Sequence, residues 1–123
     1  MSDVVDHDRG DRPWYAQPAP RGGTGPPVQQ LVLDDVRGRG WPDVAGDMLE
    51  RWCFGRRKYG NGGLLAHDGR RTDGDAYAEA LDLAFYCRKG LAEGDLVGEE
   101  YELALELCRR FRTRLARYSG GWL

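Results

Sequence analysis

Asp73-Gly74-Asp75-Ala76-Tyr77-Ala78-Glu79-Ala80-Leu81-Asp82-Leu83-Ala84-Phe85-Tyr86-Cys87-Arg88-Lys89 is the stretch on which the reading of this chain turns. At 100° per residue it makes an amphipathic helix with Asp75, Glu79, Asp82 and Tyr86 in one narrow arc, at i, i+4, i+7 and i+11. Tyr77, Ala80, Leu81, Ala84 and Leu91 fall on the opposite side. Three carboxylates share that arc with no cation before Lys89. Like charges one turn apart cost roughly 0.2–0.5 kcal/mol per pair, so the stripe asks for a neutralising partner.

The motif has an upstream twin. Asp43, Asp47 and Glu50 repeat the i, i+4, i+7 spacing, with Ala45, Met48, Trp52 and Tyr59 on the other face. Two such helices packed side by side would bring together up to six carboxylates. Mg²⁺ is commonly held by a few carboxylates plus substrate phosphates, so this spacing points to a hard divalent cation. The plainer reading is a solvent-facing polar stripe opposite an apolar one.

Outward from this pair, the chain reads as all-α: a small helical bundle of about four helices, completed by oligomerisation. No stretch alternates with period two. Residues 1–27 mix acids, prolines and glycines and are expected to be a disordered tail ahead of one domain over 28–120. A first helix is expected over 28–37, with Leu31, Val32, Asp35 and Val36 at helical spacing before Gly38 and Gly40. Pro42 suits the first turn of a second helix running towards Tyr59. Thr72 or Asp73 is expected to cap the third, which ends near Gly90 or Gly94. A fourth runs from about 96–98 to Tyr118, with Tyr101, Ala104, Leu105, Cys108, Phe111, Leu115 and Tyr118 on its core side. Its charges are mixed, Glu102 and Glu106 against Arg109 and Arg110, as an ordinary solvated helix should be.

The 123 residues suffice for one modest core, and the formal net charge of −2 gives no bulk attraction to nucleic acid or anionic membrane. Cys53, Cys87 and Cys108 are widely spaced and lack any zinc-ligand pattern, so they are expected to be buried reduced thiols of a cytoplasmic protein. No apolar run approaches a membrane span. Arg51, Arg56, Arg57, Lys58, Arg70 and Arg71 cluster around the junction between the two acidic helices, where guanidinium forks suit phosphate oxygens. No P-loop sequence is present, and no nucleic-acid-binding motif accompanies the cluster.

Arg57-Lys58-Tyr59-Gly60, Leu65, His67-Asp68-Gly69-Arg70 and the run from Asp75 to Tyr86 together resemble the short phage-encoded MazG-like proteins. Those belong to the all-α nucleoside triphosphate pyrophosphohydrolase superfamily, whose signature pairs an E-x-x-E helix with a later E-x-x-D helix. Asp47-x-x-Glu50 and Glu79-x-x-Asp82 stand in those places, with 28 residues between Glu50 and Glu79, and the similarity covers roughly 41–92. Asp47 replaces the usual glutamate, and Asp68-Gly69-Arg70-Arg71 replaces an N-G-R-D loop.

The resemblance implies Mg²⁺- or Mn²⁺-dependent hydrolysis of an NTP or dNTP to the monophosphate and pyrophosphate. It implies metal ligands Asp47, Glu50, Glu79 and Asp82, with Glu50 and Glu79 as catalytic carboxylates, and substrate contacts from Lys58, Asn61, Arg70 and Tyr86. A homodimer or homotetramer is expected, since Trp41, Trp52, Phe85, Phe111 and Leu115 exceed what one small bundle needs. The alternative is a non-catalytic helical adaptor or nucleotide-binding protein acting through the basic segment 51–71.

Overall fold

The computed structural model describes residues 17–59 and 62–115, with side chains undescribed at 56–59. Four helices form: α1 (Val28–Gly38), α2 (Pro42–Tyr59), α3 (Thr72–Glu93) and α4 (Gly98–Leu115). Among the described residues there is no strand, only an isolated antiparallel bridge between Thr24 and Ala66. The fold is all-α, and no helix among these residues is long and apolar enough to cross a membrane. Two compact units divide the chain, Ala19–Gly69 and the pair Met1–Pro18 with Arg70–Leu123.

In the first unit α1 packs on α2. Leu33 and Val36 of α1 and Ala45 of α2 are buried together, with Trp52 packed against them. Of the Leu31, Val32, Asp35 and Val36 stripe expected from spacing, Val36 is buried while Leu31 and Val32 are exposed, and Leu33 completes the buried face of α1. An 11-residue helix with apolar residues at 31, 32, 33 and 36 fits either register; packing on Ala45 selects one.

Residues 19–27, which composition reads as tail, run beside the loop after α2. Arg21, Thr24 and Val28 donate backbone N–H groups to the carbonyls of Asp68, Ala66 and Leu64 at 2.8, 2.7 and 2.7 Å. Residues 1–16 and 116–123 lie outside the described residues, Tyr118 among them.

In the second unit α3 and α4 form an antiparallel hairpin. Gly94 ends α3 in the left-handed region at φ 83°, and the N–H groups of Asp95 and Leu96 return to the Gly90 carbonyl. The seam is built from small residues, Ala84 and Cys87 against Ala104, flanked by Leu96, Tyr101 and Cys108. The Cys108 thiol donates to the Ala80 carbonyl at 3.3 Å. Leu115 is fully buried, whereas Leu105, expected on the core side, is 39 % exposed. Cys53 is exposed, unlike Cys87, because the core of α2 passes through Ala45 and Trp52 and leaves position 53 to solvent.

Arg71, and neither Thr72 nor Asp73, occupies the cap position of α3. The side-chain amide of Gln17 donates to the Arg71 carbonyl and accepts its N–H at 2.8 Å. That reciprocal pair holds the chain entering α3 as a strand neighbour would.

Candidate functional site

Helical spacing places Asp43, Asp47 and Glu50 on one flank of α2, and all three are exposed. Glu79 and Asp82 stand exposed on α3, and Tyr86, one turn further along the same face, is 70 % exposed. Asp75, the first acid of that stripe, is half-buried and already neutralised. The Arg70 guanidinium forks onto it, Nε to Oδ2 at 2.9 Å and Nη2 to Oδ1 at 2.6 Å, while Nη1 donates to the Pro18 carbonyl. Arg70, expected to face a phosphate, therefore has three N–H groups engaged within the protein. Bidentate, charge-assisted pairing of this kind is among the stronger polar contacts a surface provides.

Elsewhere in the α3–α4 unit, Asp73, Glu93 and Glu106 are matched by cations, whereas among the described residues no ion pair joins Asp95, Glu99, Glu100 or Glu102 to one. Asp73 lies 3.5 Å from Arg71, and Glu93 pairs with Lys89 at 2.8 Å. Glu106 accepts from Arg109 and Arg110, and these two guanidinium groups hold its carboxyl below the ordinary glutamate range. Asp47, Glu50, Glu79 and Asp82 likewise have no cation partner among the described residues. Each helix thus presents one unpaired carboxylate pair at i, i+3, each pair in its own unit. No three His, Cys, Asp or Glu side chains among the described residues converge into a metal-holding group. Lys58 lies on α2 with its side chain undescribed, and Asn61 lies outside the described residues.

Sequence reasoning missed a cavity in the Ala19–Gly69 unit. It has a volume of about 780 Å³, and Val28, Val32, Met48, Trp52, Leu64 and Leu65 form part of its apolar wall. Gln29, Arg51 and Asp68 supply its polar positions. Trp52 is fixed by its indole N–H, which donates to the Gly62 carbonyl at 3.1 Å, and the Gln29 side-chain carbonyl accepts the Leu64 N–H at 2.8 Å. Arg51 is exposed at the edge, its guanidinium 5.7 Å from the centre of the Phe54 ring.

The signal for this cavity was present in Met48, Trp52 and Gly55 at i, i+4 and i+7. Met48 and Trp52 were read, with Ala45 and Tyr59, as the face opposite the acids. Met48 is 38 % exposed, because α1 covers α2 at Ala45 and leaves the following turns facing the loop of 62–68. Comparison with protein-family models, with curated proteins and with solved structures finds no match to this chain.

Proposed function

We propose that this protein is a Mg²⁺-dependent nucleoside triphosphate pyrophosphohydrolase. The observation that supports the reading is the pair of exposed i, i+3 carboxylate couples, Asp47 with Glu50 and Glu79 with Asp82, which have no cation partner among the described residues and stand on the two helices whose spacing resembles the pyrophosphohydrolase signature. An isolated helix gains nothing from such couples, and hard oxygen donors free of internal partners suit a divalent cation. The donor set fits the metal: one or two carboxylates with the remaining positions left to water and phosphate oxygens is the usual form of a Mg²⁺ site. When bound, Mg²⁺ supplies positive charge at the phosphate oxygens and acidifies a coordinated water.

The remaining work falls to the chain. The reaction joins a water oxygen to the α-phosphorus, breaks the bond to the bridging oxygen between α and β, and releases pyrophosphate and the monophosphate. Glu50 is assigned the proton of the attacking water, and its exposure, with no competing internal donor among the described residues, supports that role. Glu79 is the second catalytic carboxylate. Lys58 is assigned to phosphate charge, and Tyr86, one turn beyond Asp82, to the sugar or base. Arg70, with its fork on Asp75, orders the entry to α3.

The test is pyrophosphate release from a panel of NTPs and dNTPs with Mg²⁺ or Mn²⁺. Glu79→Ala and Asp82→Ala are expected to lower turnover by at least about a hundredfold while leaving the helical circular dichroism unchanged, since both side chains are exposed and touch no core residue. Mg²⁺ should raise the melting temperature of the native protein and leave Glu79→Ala unmoved. Normal turnover in both variants sinks the metal assignment. Silence across the panel favours a nucleotide-binding protein or helical adaptor acting through residues 51–71.

A further inference from the structure

We infer that the cavity of the Ala19–Gly69 unit holds the nucleoside part of a nucleotide, with Arg51 on its phosphate; the inference rests on the hydrolase reading and names where that substrate is gripped. The cavity volume, about 780 Å³, lies within the roughly 300–1,000 Å³ typical of small-molecule sites. Its walls are apolar, and they include one flat aromatic side chain, Trp52, held by its hydrogen bond to Gly62. A planar ring is the shape that such a wall takes best.

Gln29 narrows the class of ring. Its carbonyl oxygen is committed to the Leu64 N–H, so the amide NH₂ carries the two donors it has left. Neither has a partner among the described residues. A hydrocarbon ring would leave them unmatched, whereas the ring nitrogen or carbonyl of a nucleobase satisfies one.

Arg51 supplies the anion contact. Asp47 stands one turn before it on α2, a spacing at which acid and base usually pair, yet no ion pair joins them and Arg51 lies over Phe54 instead. By helical spacing Arg51 stands between the cavity-lining Met48, Trp52 and Gly55 and the Asp47–Glu50 couple on α2. A base in the cavity would direct its phosphate past Arg51 toward that couple. A nucleotide combines these features, a flat nitrogen heterocycle and a phosphate, and is the member of that class that the hydrolase reading supplies.

The experiment uses the full chain in EDTA, so that binding is read without metal or turnover. Nucleoside monophosphates, the corresponding nucleosides and decanoate are titrated while the indole N–H resonance of Trp52, identified by its loss in Trp52→Phe, is followed by NMR. At least one monophosphate should shift it saturably. Arg51→Gln should weaken that monophosphate by about tenfold and leave its nucleoside unchanged, as expected for one charge-assisted contact. Met48→Trp, at a partly exposed position, should fill the cavity and abolish the shift while the circular dichroism stays helical.

Failure of every monophosphate to bind, equal binding of decanoate, or unchanged monophosphate binding in Met48→Trp overturns the inference. The two readings fail separately. Glu79-dependent pyrophosphate release with an unchanged KM in Met48→Trp removes the cavity and keeps the hydrolase. Monophosphate binding lost in Met48→Trp, without pyrophosphate release from any triphosphate, keeps the cavity and removes the hydrolase.

Discussion

Gly63 carries more of the cavity than its size suggests. Its φ is 147°, and a Cβ built there would lie 2.8 Å from the Pro27 Cβ, 2.9 Å from the Gln29 Oε1 and 3.2 Å from the Trp52 Nε1. Gly63→Ala should therefore cost about 1–3 kcal/mol in urea unfolding, combining overpacking with an unfavourable backbone angle. Gly46 is the control, helical with nothing within 4 Å of its missing Cβ, and Gly46→Ala should stabilise by about 0.5–1 kcal/mol. In the sequence both were simply glycines; only the approach of Pro27 and Trp52 separates them. The cysteines divide in the same way. Burial pushes the Cys108 thiol above its ordinary pKa, and Cys53 is exposed. The thiolate is the reactive form, so iodoacetamide at pH 8 should label Cys53 at least about tenfold faster than Cys108. Cys108 labelling should rise only at higher pH, as the raised pKa is approached.

At the scale of the element, helix ends followed from sequence closely and helix faces did not. Pro27 and Pro42, the glycines at 38 and 94 and the periodicity of 73–89 place all four helices within a few residues. Which side of α1 is buried depended on a partner, since Leu33 gains its contacts from Ala45, 12 positions away in the sequence. The α3–α4 seam was legible in part: Ala80 and Ala84 were read on the apolar side of α3 and both are buried, Ala84 against Ala104, whereas Cys87, which joins them, was not in that reading. Small residues let two backbones approach closely, and the space is filled. Ala104, 1 % exposed, should not accept a larger side chain: Ala104→Leu is expected to cost about 1–3 kcal/mol in urea unfolding. Leu103→Ala next to it, at 62 % exposure, should change stability by less than about 0.5 kcal/mol. The acidic stripes were also readable as stripes, but the removal of Asp75 by Arg70 was not. That pairing needs the chain to bend at 70–72, which no helical wheel contains.

The whole molecule exposes more apolar surface than its fold requires. Phe85 is 70 % exposed, Leu103 62 %, Trp41 52 % and Leu83 45 %. We expect a homodimer or homotetramer formed through such side chains, so sedimentation should report a multiple of 13.8 kDa at micromolar concentration. Phe85→Glu should shift the protein toward the monomer with its helical signal intact. A 13.8 kDa species in the unmodified protein at that concentration ends the expectation. Leu115, grouped by sequence with these residues, is fully buried within its own unit and offers nothing to a partner.

By itself the sequence determined the class of fold, the order and approximate ends of four helices, and the two acidic couples, because each depends on spacing along one segment. Tertiary structure decided what those segments face. It buried Leu33 instead of Leu31, left Met48 and Trp52 as cavity wall, tied Arg21 and Thr24 to the loop after α2 and Gln17 to the entry of α3, and gave Asp75 to Arg70. Each of those outcomes joins residues from different segments, and periodicity carries no information about a neighbour that arrives from elsewhere in the chain.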